Sequence, residues 1–341
     1  MELAVLIFKV CLIVAVFAIT LVAAMYSTWA ERKVAAFLQD RVGPNRAGPF
    51  GLLQPLADGV KMFMKEEIIP SDSNRFLFVL GPCLAMMTAG MASAVMPWGG
   101  AITIGDDTFL LQAADINIGI LYILGVTSVG IYGIMIGGWA SNNKYSLLGA
   151  IRASSQMISY ELAMGLSVIA VVMMTGDLSL KAIVEGQPGG HWNVFYQPLG
   201  FIIFLICAFA ETNRAPFDLP ECETELIGGY HTEYSSMKLG FFLFAEYINM
   251  FVSCALIASV YFGGYNMPFI RDFGWSENTI TIVGTACFFL KIIFGIFFFM
   301  WVRWTLPRFR YDQLMKLGWQ ILIPLSIINV ILTGLGIIVF K

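Results

Sequence analysis

The sequence predicts an all-α polytopic membrane protein, on the evidence of its composition, its recurring apolar runs and the absence of strand-like alternation. Of its 341 residues, 58% are hydrophobic and only 13% are charged, whereas soluble domains carry about 25% charged residues. A chain within lipid must satisfy its backbone hydrogen bonds inside helices or a closed barrel. Because apolar runs of about 20 residues recur, helices are favoured over a barrel.

We predict one membrane domain over residues 1–341, with eight transmembrane helices. The predicted spans are 3–29, 76–97, 115–139, 155–175, 197–211, 237–262, 280–301 and 317–340. The first apolar run is longer than the core of a signal peptide, so it is predicted as a retained span. Span three contains Gly133 and Gly137 at GxxxG spacing, which permits close helix packing.

The basic residues predict the orientation. The odd-numbered loops contain 15 Lys and Arg residues and the even-numbered loops contain 2. Cytoplasmic loops carry the excess of basic residues, so we expect the odd loops in the cytoplasm and both termini outside. A bacterial inner membrane is favoured over a mitochondrial one.

The first loop combines a turn-rich segment with an amphipathic one. RVGPNRAGPFG, residues 41–51, contains too much Gly and Pro for a regular helix. From Leu52 to Lys65, apolar residues fall on one helical side and Asp58, Lys61 and Lys65 on another. This pattern predicts a helix in the membrane interface, either as an anchor or as a doorway for a lipid-soluble substrate. Glu31, Arg32 and Lys33 fit snorkelling anchors at the end of span one.

Acidic residues in or beside apolar spans are the candidate functional groups. Residues 211–233 place six acids against one base, although the whole chain has only 23 acids. Carboxylates near lipid are costly, so they usually mark function, although a structural hydrogen-bonding role is the alternative for any one of them. Lys291, in the middle of span seven, needs a partner. We expect Glu246, with backbone carbonyls as the alternative.

No metal or redox cofactor is expected on this chain alone. The six cysteines are scattered without a CxxC pair, and the only histidines are His191 and His231. The sequence also lacks a phosphate loop and a GxGxxG motif.

Three segments resemble the family of the membrane subunit called H in bacterial respiratory complex I and its mitochondrial counterpart. They are ERKVAAFLQDRVGPNRAGPFGLLQPLADGVKMFMKEE (31–67), RASSQMISYELAMG (152–165) and FAETNRAPFDLPECETELIGGYHTEYSSMKLGFFLFAEY (209–247). The resemblance implies quinone-binding residues in the first loop, namely Arg32, Arg41, Arg46, Asp58 and Lys61. It also implies a polar proton path from the quinone cavity. The residues expected on this path are Glu161, Glu211, Glu246, Asp218, Glu221, Glu223, Glu225 and Lys291.

The resemblance implies a subunit that performs no chemistry alone within the proton-pumping NADH:quinone oxidoreductase. Its expected partners are the peripheral-arm subunits, neighbouring membrane subunits, quinone and the lipid bilayer, without nucleic acid. Quinone is the expected substrate, and FMN and Fe–S clusters are expected on partner subunits. Reduction of the quinone would change the protonation of nearby carboxylates that titrate as a group.

Two other functions are considered. One is the homologous membrane subunit of a membrane-bound hydrogenase or formate hydrogenlyase, which the long first-loop motif disfavours. The other is a free-standing ion-coupled transporter, which often shows inverted repeats that are not apparent in this sequence.

Overall fold

The computed structural model describes residues 2–105, 107–218, 227–268 and 274–340, and helices dominate it. The α-helices are α1 (Glu2–Leu38), α2 (Gln54–Met64), α3 (Arg75–Ala92), α4 (Gly119–Ala140), α5 (Lys144–Thr175), α6 (Leu180–Glu185), α7 (Asn193–Tyr196), α8 (Pro198–Glu211), α9 (Ser236–Tyr261), α10 (Glu277–Thr305), α11 (Tyr311–Lys316) and α12 (Ile323–Phe340). A π-helical stretch, Leu317–Leu322, joins α11 to α12. Short 3-10 turns lie at Pro49–Gly51, Ser93–Val95, Pro188–Gly190 and Gly229–His231.

The all-α polytopic prediction is confirmed. Within the described ranges, seven helical segments are long and apolar enough to cross a membrane. The predicted fifth span corresponds to α8, which qualifies only together with Pro188–Tyr196, from which it is bent by 75°. The count is therefore seven, or eight if this bent pair is one span.

The two largest differences between the predicted boundaries and the structure arise because apolar runs mark the lipid-facing part of a helix and not its ends. α1 continues to Leu38, beyond the predicted end at residue 29. α5 begins at Lys144 instead of residue 155. Its first turn is polar, and Asn143 caps it by accepting a hydrogen bond from the Tyr145 amide at 2.9 Å.

The helix predicted over residues 52–65 is present as α2, over Gln54–Met64, and its interfacial position stays a prediction. Its apolar residues are left exposed, Val60 to 62% and Phe63 to 71%, which suits contact with lipid. The preceding loop is fixed as predicted. Gly51 has a φ of 78°, and an added Cβ would lie 2.2 Å from the carbonyl oxygen of Pro44.

Two short strands, β1 (Ala101–Ile104) and β2 (Asp107–Leu110), form an antiparallel hairpin that the sequence analysis did not predict. Four residues per strand are too few for an alternating pattern to be recognised. The hairpin is attached to the start of α10, where Asn278 accepts a hydrogen bond from the Thr103 amide at 2.9 Å.

α9 lies at the centre of the bundle and α1 at its edge. In the most apolar part of each span, 72% of the α9 residues are buried but only 17% of those in α1. α3 packs against both α4 and α9, and α5 packs against α4 and α8. This arrangement surrounds the acidic end of α8 with α4, α5 and α9.

The close contact between α3 and α4 depends on glycine. An added Cβ at Gly81 would lie 2.8 Å from the Gly137 Cα, and one at Gly133 would lie 2.8 Å from the Ala85 nitrogen. The predicted close packing of Gly133 and Gly137 is confirmed.

Lys291 does not pair with Glu246, so that prediction is wrong. Its ammonium donates to the carbonyl oxygens of Phe262 and Gly264 at 2.7 Å and of Asn266 at 3.2 Å. These carbonyls follow the end of α9, where the helix dipole is negative. The ammonium of Lys291, from α10, therefore caps the end of α9. This agrees with the alternative prediction, in which Lys291 is stabilised by backbone carbonyls.

Replacing Gly133 by Val tests the α3–α4 contact. A side chain there meets backbone, so the two helices must separate, at a cost of about 1–3 kcal/mol. We expect a lower midpoint of thermal unfolding for the purified protein. Gly125→Val is the matched control, because that α4 glycine faces open space. Equal midpoints for the two variants would contradict the prediction.

Candidate functional site

A buried group of charged side chains joins three membrane helices to the segment after α8. Arg214 donates to Glu31 of α1 at 3.0 Å, and its other terminal nitrogen lies 4.0 Å from Glu246 of α9. Tyr247 donates to the same Glu31 oxygen at 2.8 Å, and Arg303 of α10 donates to the second one. These five residues are called the Arg214 cluster below.

The Arg214 cluster brings two carboxylates and two guanidinium groups together out of water. Glu31, Arg214 and Glu246 are each less than 10% exposed, and the guanidinium of Arg214 lies 4.1 Å from the ring centre of Tyr247. Burial by itself would lower the pKa of Arg214, but Tyr247, Glu31 and Glu246 outweigh it and raise the pKa above its ordinary value. Arg214 is therefore a permanent cation shared by two acids.

A small internal cavity of about 20 Å³, enough for about one water molecule, lies on one side of the Arg214 cluster. Its polar lining residues come from α3, α4, α8 and α9, from the turn after α8 and from the turn before α9. They are Thr88, Thr127, Glu211, Thr212, Asn213, Tyr230, Glu246 and Asn249. Tyr230 donates to Glu246 at 2.9 Å. The inner cavity, as we call it, thus contains two carboxylates with hydroxyl and amide groups between them.

Glu161 extends this polar group towards the edge of the bundle. Two successive α4 residues lie between it and Glu211: Ser128 donates to Glu161 at 3.1 Å, and Thr127 lies with Glu211 in the wall of the inner cavity. The two carboxylates are close enough to interact electrostatically. The three predicted intramembrane acids, Glu161, Glu211 and Glu246, therefore belong to one region of the protein.

A cleft of about 240 Å³ lies on the other side of the Arg214 cluster. It is bounded by α1, α2, α9 and the end of α10, and it is lined by Met25, Thr28, Glu31, Arg32, Pro55, Asp58, Gly59, Met62, Gly240, Leu243, Phe244, Tyr247 and Trp304. A mostly apolar wall with a few polar groups is typical of sites for small organic ligands. This membrane cleft shares Glu31 and Tyr247 with the Arg214 cluster.

The interfacial helix α2 is held in place beside the membrane cleft. Arg32 forms an ion pair with Asp58 at 2.8 Å, and Lys238 forms one with Glu67 just beyond the helix. Ser236 also donates to the carbonyl oxygen of Met62 at 3.0 Å. These contacts join α2 to α1 and α9.

The structure brings together only some of the residues predicted to bind quinone. Arg32 and Asp58 line the membrane cleft. Arg41, Arg46 and Lys61 are exposed and are not among its lining residues, and Arg41 instead donates to Gln39 at 2.8 Å. A role for these three in quinone binding stays a prediction.

The acidic loop is described only in part. Asp218 is buried and forms an ion pair with Arg308, at 3.1 Å, in the loop after α10. The neighbouring Phe217 stacks on Phe309. Glu221, Glu223 and Glu225 lie outside the described residues. Lys291 lies at the end of α9 among backbone carbonyls and is not a lining residue of the inner cavity.

Sequence reasoning missed several members of the site. Glu31 and Arg303 have the pattern of interfacial anchors, and their separation of 272 positions gives no sign that they meet. Thr127 and Ser128 are adjacent hydroxyl residues within an apolar span. This pair was the one feature of the sequence that could have indicated their place in the site. Among the described residues, no group of His, Cys, Asp and Glu could hold a metal ion.

Comparison with known proteins gives consistent results over nearly the whole chain. A family model described as NADH dehydrogenase matches residues 10–334. The chain is 68% identical over 332 residues to an NADH-quinone oxidoreductase H subunit (numbered 1) of Cytophaga hutchinsonii, covering 97% of each. It is 67% identical to the H subunit of Flavobacterium johnsoniae, covering 98% of this chain and 96% of the relative. It is 48% identical to the H subunit of Leptospira biflexa, covering 96% of this chain and 94% of the relative.

Replacing Arg214 by Met tests whether the Arg214 cluster stabilises the protein. The change leaves two buried carboxylates without their shared cation, which costs about 3–5 kcal/mol when a buried pair is broken. We expect a clear fall in the thermal unfolding midpoint. Adding Glu31→Gln should cost less than the two single changes summed, because the double variant leaves fewer uncompensated charges.

Arg310→Met is the control, because Arg310 pairs with Asp312 at an exposed position. If Arg214→Met unfolds at the same temperature as this control, the cluster does not hold the helices together.

Proposed function

The chain belongs to the NADH dehydrogenase family that includes the H subunit of NADH-quinone oxidoreductase, and we propose that it forms part of that complex's quinone tunnel and the start of its proton path. The family makes the chain a membrane subunit of the oxidoreductase, with other subunits of that complex as its partners. One observation carries the finer proposal: Arg214 contacts Glu31 of the membrane cleft and lies beside Glu246 of the inner cavity.

The membrane cleft is suited to a quinone. Its wall of Met25, Leu243 and Phe244 suits an isoprenoid tail, and its exposed neighbour α2 lies where such a molecule would leave the bilayer. At its inner end, Glu31 and Tyr247 offer groups that respond to charge on a quinone head group. Electrons would come from Fe–S clusters on partner subunits, so this chain supplies position and electrostatics.

Coupling between the cleft and the cavity would pass through Arg214. Because guanidinium keeps its charge, Arg214 cannot carry a proton, but a shift of its side chain between Glu31 and Glu246 would change which carboxylate is stabilised. Quinone reduction in the membrane cleft adds negative charge on the Glu31 side. The positive charge of Arg214 then compensates the carboxylate of Glu246 less, so Glu246 takes up a proton more readily.

From Glu246, the inner cavity leads to Glu211 and, through Thr127 and Ser128, to Glu161. Glu211 and Glu161 are close enough to interact electrostatically, so a proton taken up at one changes the proton affinity of the other. Asp218 fits an anchor of the acidic loop, because Arg308 holds it. The predicted orientation places this polar end in the cytoplasm, where protons are taken up. A bacterial inner membrane, with both termini outside, is part of the proposal.

The comparisons support this function over the two alternatives. The relatives reported above are all named as NADH-quinone oxidoreductase subunits, and none is named as a hydrogenase component or a transporter. The similarity covers more than nine-tenths of the length of each relative. The first-loop helix that forms the membrane cleft is also the element that a quinone enzyme requires.

Gly59→Leu in the assembled complex tests the quinone site. An added side chain at this cleft residue meets open space, so folding is preserved while the cleft is filled. We expect the KM for quinone to rise about tenfold, for the loss of roughly 1.4 kcal/mol of binding. NADH oxidation by an artificial acceptor that bypasses quinone should not change.

Val60→Leu is the control, because Val60 is exposed on the same helix and is not a cleft residue. A photoreactive quinone analogue should label residues 31–67 or 211–247 in the unaltered complex and much less in Gly59→Leu. Unchanged labelling and KM in Gly59→Leu would place the quinone elsewhere.

Glu211→Gln tests the proton path. The amide keeps the shape but cannot exchange a proton, so we expect proton pumping in proteoliposomes to fall at least about tenfold, as for loss of a positioned acid–base group. Glu185→Gln, at the opposite end of the bundle, should pump normally. Full pumping with unchanged quinone reductase activity in Glu211→Gln would remove Glu211 from the route.

A further inference from the structure

The start of α8 is an uncapped helix end within the membrane bundle. Pro198 occupies its first turn, and no side chain in the described part of the chain caps it. The first amide groups of a helix lack partners inside the helix and carry partial positive charge, so they favour an acceptor or an anion. α8 contains 14 residues, which span about 21 Å, whereas the hydrocarbon core of a bilayer is about 30 Å thick.

A second observation points to a ligand at the same place. Asn329 of α12 is only 5% exposed, and its side-chain nitrogen has no hydrogen-bond partner within the ranges that the structure describes. A buried amide donor without a partner is costly. An added Cβ at Gly200, in the first turn of α8, would lie 3.1 Å from this nitrogen and 3.4 Å from the side-chain oxygen of Gln197. The free donor is therefore beside the uncapped helix end.

A cleft of about 690 Å³ opens at this point between α8 and α12. Gln197, Asn329 and Thr333 form its polar part, and Gln197 donates to the Thr333 hydroxyl at 2.6 Å. The remaining lining residues are mainly apolar: Met174, Tyr196, Pro198, Leu199, Leu332, Gly336 and Ile337. We call it the α8–α12 cleft.

The adjoining aromatic residues place the α8–α12 cleft at the level of lipid headgroups. Phe195 and Tyr196, directly before α8, are 71% and 56% exposed. Aromatic side chains of this kind concentrate at membrane–water interfaces. Leu332, which is 57% exposed, continues the apolar wall along α12. A molecule in the cleft would therefore have its polar part near α8 and its apolar part along α12.

We infer that the α8–α12 cleft binds a glycerophospholipid, with the phosphodiester at the start of α8 and one acyl chain along α12. The helix end and Asn329 supply donors for the phosphate oxygens, and the Gln197 oxygen offers an acceptor for a headgroup ammonium or hydroxyl. The short length of α8 also agrees with a lipid headgroup at this depth. A bilayer becomes thinner around a short transmembrane helix, which brings the headgroups closer to the helix end. This inference is independent of the proposed quinone and proton functions.

Photolabelling in the assembled complex tests the lipid site. The complex is reconstituted with phosphatidylethanolamine carrying a photoreactive acyl chain, and labelled peptides are mapped by mass spectrometry. We expect labelling of residues 332–337, along which the acyl chain is placed. Asn329→Leu removes a donor to a charged group, and labelling should fall roughly tenfold.

Gly336→Leu tests the same site by filling it, since an added side chain at this cleft residue meets open space. Labelling should again fall roughly tenfold, at unchanged stability. Gly165→Leu is the matched control, because Gly165 also faces open space but is not a residue of this cleft. Three results would overturn the inference. The labelling could be equal in all variants, it could fall on a neighbouring subunit that covers the cleft, or inorganic phosphate could displace the labelled lipid.

Discussion

The contact of Arg214 with two buried carboxylates is the constraint on which the site depends. Moving a charged group out of water costs several kcal/mol even after relaxation, so each member of the Arg214 cluster requires the others. Arg214 meets Glu31 and Glu246, and Arg303 and Tyr247 complete the contacts of Glu31. The cluster therefore fixes α1, α9 and α10 relative to the segment after α8. This fixed geometry defines both the membrane cleft and the inner cavity.

The same cluster couples the membrane cleft and the inner cavity electrostatically. Glu31 belongs to the wall of the membrane cleft and Glu246 to that of the inner cavity, and a single cation lies between them. A change of charge on one side must alter the balance on the other, because water screens buried charges only weakly. Charge coupling of this kind needs no large movement of the helices. The proposed function requires coupling of this kind between quinone reduction in the membrane cleft and proton uptake in the inner cavity.

Hydropathy was sufficient for the helical fold, because burial in lipid leaves a continuous apolar run in the sequence. It also identified Glu161, Glu211 and Glu246 as unusual, since acids in such runs are rare. It could not identify their partners. Glu31 and Arg214 are separated by 183 positions, and only the folded chain brings them together. Lys291 shows the same limit, because a cation within a span can be stabilised by carbonyls at a helix end as well as by an acid, and sequence does not distinguish these.

The two ends of α8 differ in what they require from their surroundings. Glu211, at one end, lies in a polar cavity with hydroxyl groups and a second carboxylate, whereas the uncapped start lies beside an apolar cleft. Between them, Ile203 and Phe204 are at most 1% exposed and offer no group that would carry a proton along the helix. In the proposed proton path, a proton at Glu211 therefore has a more polar route sideways, past Thr127 and Ser128 to Glu161, than along α8. Because Glu161 is half-buried, the proposal has the proton pass from Glu161 to a neighbouring subunit.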